Sequence, residues 1–223
     1  MAVAAGAIAG MVRDLRVEPV TILAGRLSAG GRYDAAALAA FAGRRDLDGY
    51  RSGCRGDALR AALTVRLHQF DAARGAGDPA AMDAAYEGVE TAARAVLACS
   101  PLDGNAWLRL AMVDLQILGP VPAVLDELNM SYWVAPNEGW IIADRIAFAA
   151  RLVDTGLAGV SGTLARDVRK YAASAEPKDV AALFSAAPVS ARDEFQAALA
   201  FLPAERRQQI EKIIAENAGS AGN

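Results

Sequence analysis

Two proline-bearing turns constrain what this chain can fold into. Ser100-Pro101-Leu102-Asp103-Gly104 and Ala135-Pro136-Asn137-Glu138-Gly139 place their prolines 35 residues apart, and each follows one helix-forming stretch and opens another. A period near 34, with an aromatic just past the turn and a proline closing the unit, is the mark of stacked helical hairpins. The chain is therefore expected to be all-α. Its sequence speaks to architecture more than to any ligand.

Composition narrows the function classes. With 54% hydrophobic and 22% charged residues over 223 positions, the chain has enough apolar side chain to fold. A net charge of −3 and the lack of any Lys or Arg run leave no footprint for nucleic acid or an anionic membrane surface. Two cysteines and one histidine, His68, fall short of the usual four-ligand zinc site. No metal and no cofactor are expected.

Residues 1–16 form an N-terminal segment in which Met1 to Val12 is an unbroken run of small apolar residues. A bilayer-spanning helix needs about 20, so this run is too short to cross. It also lacks the cationic residues that precede the apolar core of a secretory signal. It reads either as the remnant of a signal or anchor or as an Ala-rich helix. Contact with a membrane is expected only through this segment, if at all.

Residues 17–175 read as hairpins. Pro19 suits a first helical turn, Val20 to Ser28 forms one helix, and Gly30-Gly31 stops it. Asp34 caps a second helix over Ala35 to Ala42, and 43–53 is a polar connector. Leu59, Leu63, Leu67 and Phe70 then make one stripe of a helix from about Asp57 to Ala73. After a turn with Asp78 as cap and Pro79 in the first position, Met82, Tyr86, Val89, Ala93 and Val96 share a face of the partner helix. Such helices pack antiparallel. That packing brings Cys54 and Cys99 to the same end, which predicts a disulfide between them; the alternative is two buried thiols. In the chain-entropy model a bridge closing this loop contributes on the order of 4 kcal/mol. It would also place the protein in an oxidising compartment.

The next hairpin runs over Asn105 to Leu118 and Ala123 to Val134, followed by helices at Glu138 to Asp154 and Val160 to Ala173. Residues 176–223 read as a short helical cap: Val180 to Ala186, Ala191 to Phe201 with Ser190 as cap, Ala204 to Ala215, and a frayed end from Ala218.

Pro101 to Pro136 resembles one degenerate tetratricopeptide repeat. Trp107 stands at the tryptophan position, Leu110-Ala111 at the Leu-Gly pair, and Val124, Leu128, Ser131 and Pro136 at the small, bulky, small and proline positions. Val89, Ala93, Val96 and Pro101 match in the hairpin before it, while Trp140 falls two residues early in the one after. From Val17-Glu18-Pro19 through Cys99-Ser100-Pro101-Leu102-Asp103-Gly104 and Trp107 to Trp140, the chain is similar to small tetratricopeptide-like proteins found with bacterial exopolysaccharide synthesis and export genes. The resemblance implies a solenoid with a C-terminal helical cap. It also implies an extracytoplasmic or periplasmic scaffold, not an enzyme, whose partners are proteins of a polysaccharide secretion assembly. It transfers no functional residues, and the shortened N-terminal segment departs from it.

Candidate sites follow from residue chemistry. Acyl-transfer catalysis needs a nucleophile with a base in reach, and His68 lies about half a helical turn from the Leu59 stripe, on the exposed side. The adjacent Asp126 and Glu127 point away from each other and do not converge for glycosidase work. Trp140 is the residue to watch. Asp144, Ala147, Arg151 and Asp154 share its face, while Ile141, Phe148 and Leu152 lie elsewhere. An aromatic beside a carboxylate and a guanidinium suits a partner peptide or a sugar ring; the alternative is a covered tryptophan with Asp144 and Arg151 paired. Asp114, near the Trp107 and Leu110 face, joins the binding candidates. Tyr132 and Trp133 are expected to pack the turn. The leading expectation is a protein-interaction scaffold, followed by carbohydrate binding through Trp140 or polysaccharide contact, and by a cytosolic adaptor.

Overall fold

The computed structural model describes residues 18–43 and 53–220, and among them every regular element is a helix. The expectations for the N-terminal apolar segment and for most of the polar connector lie outside the described residues. Two compact units divide the chain at Ala106 and Trp107.

The first unit opens with α1, residues 18–28, and α2, Ala35–Gly43. Val20, Ala24 and Leu27 form the buried stripe of α1. Its end needs two glycines. Gly30 sits at φ 86° and donates to the Leu27 carbonyl, while Gly31 donates to Arg26. A Cβ on Gly31 would lie 2.7 Å from the Arg26 oxygen, so this Schellman-type closure excludes a side chain. Asp34 caps α2 by accepting from the Ala37 amide at 2.6 Å.

The hairpin of α3, Gly56–Ala76, and α4, Pro79–Cys99, dominates this unit. Gly77 ends α3 in the left-handed region, and the Asp78 carboxylate accepts from the amides of Ala80 and Ala81 to start α4. Leu59, Leu63, Val65 and Phe70 are buried on α3, and Val89, Ala92, Ala93 and Val96 on α4. Alanine at so many buried positions lets the helix backbones approach closely. Leu67 is only half-buried, and His68, expected on the exposed side, is half-buried too. The disulfide expected between Cys54 and Cys99 is present, with Cα atoms 5.3 Å apart. At the same end, Arg60 on α3 donates to Asp103 at 2.6 Å, and Asp103 also accepts from the Ala106 amide.

The chain enters the second unit along α5, Gly104–Leu118, and continues through α6, Pro122–Val134; α7, Gly139–Leu152; α8, Val160–Ser174; α9, Pro177–Ala186; α10, Arg192–Leu199; and α11, Ala204–Ser220. One apolar core joins them, from Leu108 and Ala111 on α5 through Val124, Leu128, Ile141, Phe148 and Leu164 to Val180, Phe184, Phe195 and Ile210. Phe184 and Phe195 meet edge to face at 5.5 Å. The C-terminal helices thus share their core with α5 to α8, and Arg206 of α11 donates to the carbonyls of Ala172 and Ala175 at the end of α8.

Three local expectations are corrected. Ser190 does not cap α10; a 3₁₀ turn over Val189–Ala191 leads into that helix instead. Proline at its first position starts α9 at Pro177, ahead of Val180. The last helix holds through Ser220, past the point where fraying was expected.

Beneath these elements lies a charged pair that no spacing rule announces. Arg145 and Asp167 are 0% and 1% exposed, and form a two-point pair: Nε donates to Oδ2 at 2.8 Å and Nη2 to Oδ1 at 3.1 Å. The Arg145 Nη1 donates to the carbonyls of Ser131 and Ala135, at 3.2 and 3.1 Å. Those oxygens belong to the end of α6, where the chain leaves the helix before Pro136; the Ser131 carbonyl also accepts from the Ala135 amide, so the guanidinium ties the helix end to α7. On α8, Arg166 lies 3.4 Å from the Tyr132 ring centre and donates to Asn129, which also accepts from Thr163 at 3.1 Å. Burial pushes the Arg166 pKa below its ordinary value, and the nearby Asp167 charge opposes that shift.

Candidate functional site: the outward face of α5 and α7

On α7 the core takes Ile141, Ile142, Arg145, Ile146, Phe148, Ala149 and Leu152. Trp140, Asp144, Ala147 and Arg151, at helical spacings of four, three and four, make the opposite stripe. Trp140 is 58% exposed at its head. Arg151 is exposed as well, with its guanidinium 5.8 Å from the Phe148 ring centre. Asp154 is exposed in the 3₁₀ turn Val153–Thr155 that follows.

A second stripe, Arg109, Met112 and Gln116 on α5, has the same spacing. The two stripes are joined where Arg109 Nη2 donates to Asp144 at 2.6 Å, with the side chains 25% and 42% exposed. Arg109 also donates to the Met112 sulfur at 3.3 Å. The expected pairing of Asp144 with Arg151 is therefore replaced by a bond between helices. Arg109 and Asp144 are 35 positions apart, the spacing of Pro101 and Pro136. Aligning the two turns would have found this pair.

The other candidates separate. Asp114 is 4% exposed and turned into the protein, so it does not belong to this face. Trp107 is half-buried. Tyr132, expected to pack the turn, lies under Arg166 of α8, and Trp133, expected there too, is 69% exposed. Its ring meets Tyr132 edge-on at 5.6 Å. Trp133 and Trp140 thus stand on either side of the Pro136 turn, both open to solvent.

Chemically, the joined stripes offer a flat aromatic surface, a partly exposed ion pair, a thioether and a further guanidinium. They contain no hydroxyl, thiol or imidazole. Such a face can bind by stacking and by charge-assisted hydrogen bonds. Among the described residues, no group of three or more His, Cys, Asp or Glu side chains is placed to hold a metal ion, and no helix is long and apolar enough to cross a membrane. Comparison of the chain with protein-family models, curated proteins and solved structures gives no match.

Proposed function

We propose that this protein is a non-catalytic interaction module, a tetratricopeptide-like helical solenoid that holds a protein partner on the joined stripes of α5 and α7. The observation that carries the reading is Trp140, exposed at the head of a polar stripe and flanked by the Arg109–Asp144 bond. Exposed tryptophans and arginines are over-represented among the residues that dominate binding energies at protein interfaces. Neighbouring hairpins of a solenoid line one surface and suit extended ligands. The repeat reading is supported by bonds between successive hairpins at nearly one period: Arg109 to Asp144 at 35 and Thr163 to Asn129 at 34 residues.

The disulfide supports an oxidising, extracytoplasmic compartment, since such bonds persist mainly outside the reducing cytosol. With the likeness to proteins of exopolysaccharide loci, this supports a place in an extracytoplasmic polysaccharide secretion assembly. A second reading, direct carbohydrate binding, is supported by the same tryptophan standing among Asp144 and Arg151.

The test is a photo-crosslinking amino acid placed at position 140 and, as control, at the exposed position 208, in cells that make the protein. The proposal expects one discrete protein adduct from position 140 and none from position 208. A glycan adduct from position 140 would move the assignment to carbohydrate. Equal labelling from both positions would contradict a dedicated face.

A further inference from the structure

The disulfide has features that an inert staple does not need. Cys54 is exposed, whereas Cys99 is half-buried at the last position of α4. Cys54 also adopts φ 44°, and among the described residues it is the one non-glycine at positive φ. An L-residue in that region crowds its Cβ against the backbone, and such strain persists only where the surroundings impose it. Cys54 holds this conformation while bonded to Cys99. The hairpin, meanwhile, has other means of holding together. The helices α3 and α4 pack along their length with Leu59, Leu63, Val89, Ala93 and Val96 buried, and the Arg60–Asp103 ion pair ties the same end without sulfur.

We propose that Cys54–Cys99 is an exchangeable, redox-responsive clasp, with Cys54 as the sulfur that reductants attack. The co-reactant is a dithiol. One of its thiolates attacks Cys54 Sγ, the Cys54–Cys99 bond breaks with its electron pair on Cys99 Sγ, and Cys99 takes a proton from water. The dithiol's second thiolate then attacks its own sulfur in the mixed disulfide, forming the reductant's disulfide and releasing Cys54, which is protonated in turn. Two electrons and two protons have passed to the protein. Cys54 is then free to leave the left-handed conformation, while α3 and α4 stay packed. Exposed or strained disulfides are the ones that serve as labile or regulatory bonds.

The experiment uses the purified, oxidised full chain in native buffer. Dithiothreitol is added for timed intervals, free thiols are alkylated, and helicity is followed by far-UV circular dichroism. In parallel, reduced glutathione is added and the mixed disulfide located by mass spectrometry. The clasp is expected to open in the native protein with the helical signal retained, and glutathione is expected on Cys54 and not on Cys99. A bond that opens only once urea has unfolded the chain would overturn the proposal, as would helix loss in step with reduction. Preferential glutathione capture by Cys99 would overturn the assignment of Cys54. The variant Cys54→Ser with Cys99→Ser supplies the independent check: it should keep the oxidised protein's helical signal at room temperature, and its unfolding there would refute a clasp that can open without loss of the hairpin.

Discussion

The two units are held by opposite means. In the first, the buried faces of α3 and α4 are rich in alanine, and a covalent bond closes the end of the hairpin. In the second, larger side chains such as Phe148, Phe195, Leu128 and Leu164 fill the core, and the interior also contains the Arg145–Asp167 pair at no measurable distance from dryness, 0% and 1% exposed. Alanine buries little area per residue, so an alanine-rich hairpin gains less from water exclusion and more from a tether that restricts the unfolded chain. A core with ample apolar area tolerates a buried ion pair, provided every strong donor finds an acceptor. The first unit should therefore lose stability on reduction while keeping its helices at room temperature, and the second should lose stability with the loss of a charge.

The largest effect expected from breaking this contrast is that of Arg145→Ala. It leaves Asp167 buried without a counter-charge and strips the donors from the end of α6, for a loss of about 3–5 kcal/mol. All three tryptophans, Trp107, Trp133 and Trp140, lie in the second unit, so their fluorescence during urea unfolding follows that unit. Replacing both partners, Arg145→Met with Asp167→Leu, should recover much of the loss. Next comes Cys54→Ser with Cys99→Ser, expected to cost the first unit ~2–4 kcal/mol by far-UV circular dichroism while the tryptophan transition stays in place. Asp78→Ala removes the cap of α4 and should cost about 1 kcal/mol in the same unit. Smallest is Arg109→Ala, which breaks a partly exposed ion pair. Its expected effect on the tryptophan transition is ~0.5 kcal/mol or less, so any large effect on partner capture at position 140 would be a binding effect.

Local signals were legible in the sequence wherever the chemistry is local. Asp34, Asp78 and Pro79 mark helix starts, and Gly30 and Gly77 mark helix ends, because capping and positive φ depend on a few adjacent residues. The disulfide was readable because antiparallel helices of similar length bring both cysteines to one end. The outward stripe of Trp140, Asp144 and Arg151 was visible from helical spacing alone. What spacing could not give is the partner across helices. Asp144 chose Arg109 over Arg151, and Arg145, which a wheel places among the apolar residues of α7, found Asp167 on α8. The tail misled in a different way. Ser190 has the chemistry of a cap, but a 3₁₀ turn enters the helix there and puts Ala191 at the cap position.

The account rests most heavily on the protein working where thiols are oxidised, and a thiol count tests that directly. Cells making the protein are lysed into an excess of alkylating reagent under denaturing conditions, and the mass of the chain and its peptides is read. The account expects no alkylated cysteine and one linked peptide pair joining Cys54 to Cys99. Two alkylated cysteines in freshly lysed cells would contradict the extracytoplasmic assignment and turn the search for a partner of Trp140 toward the cytosol.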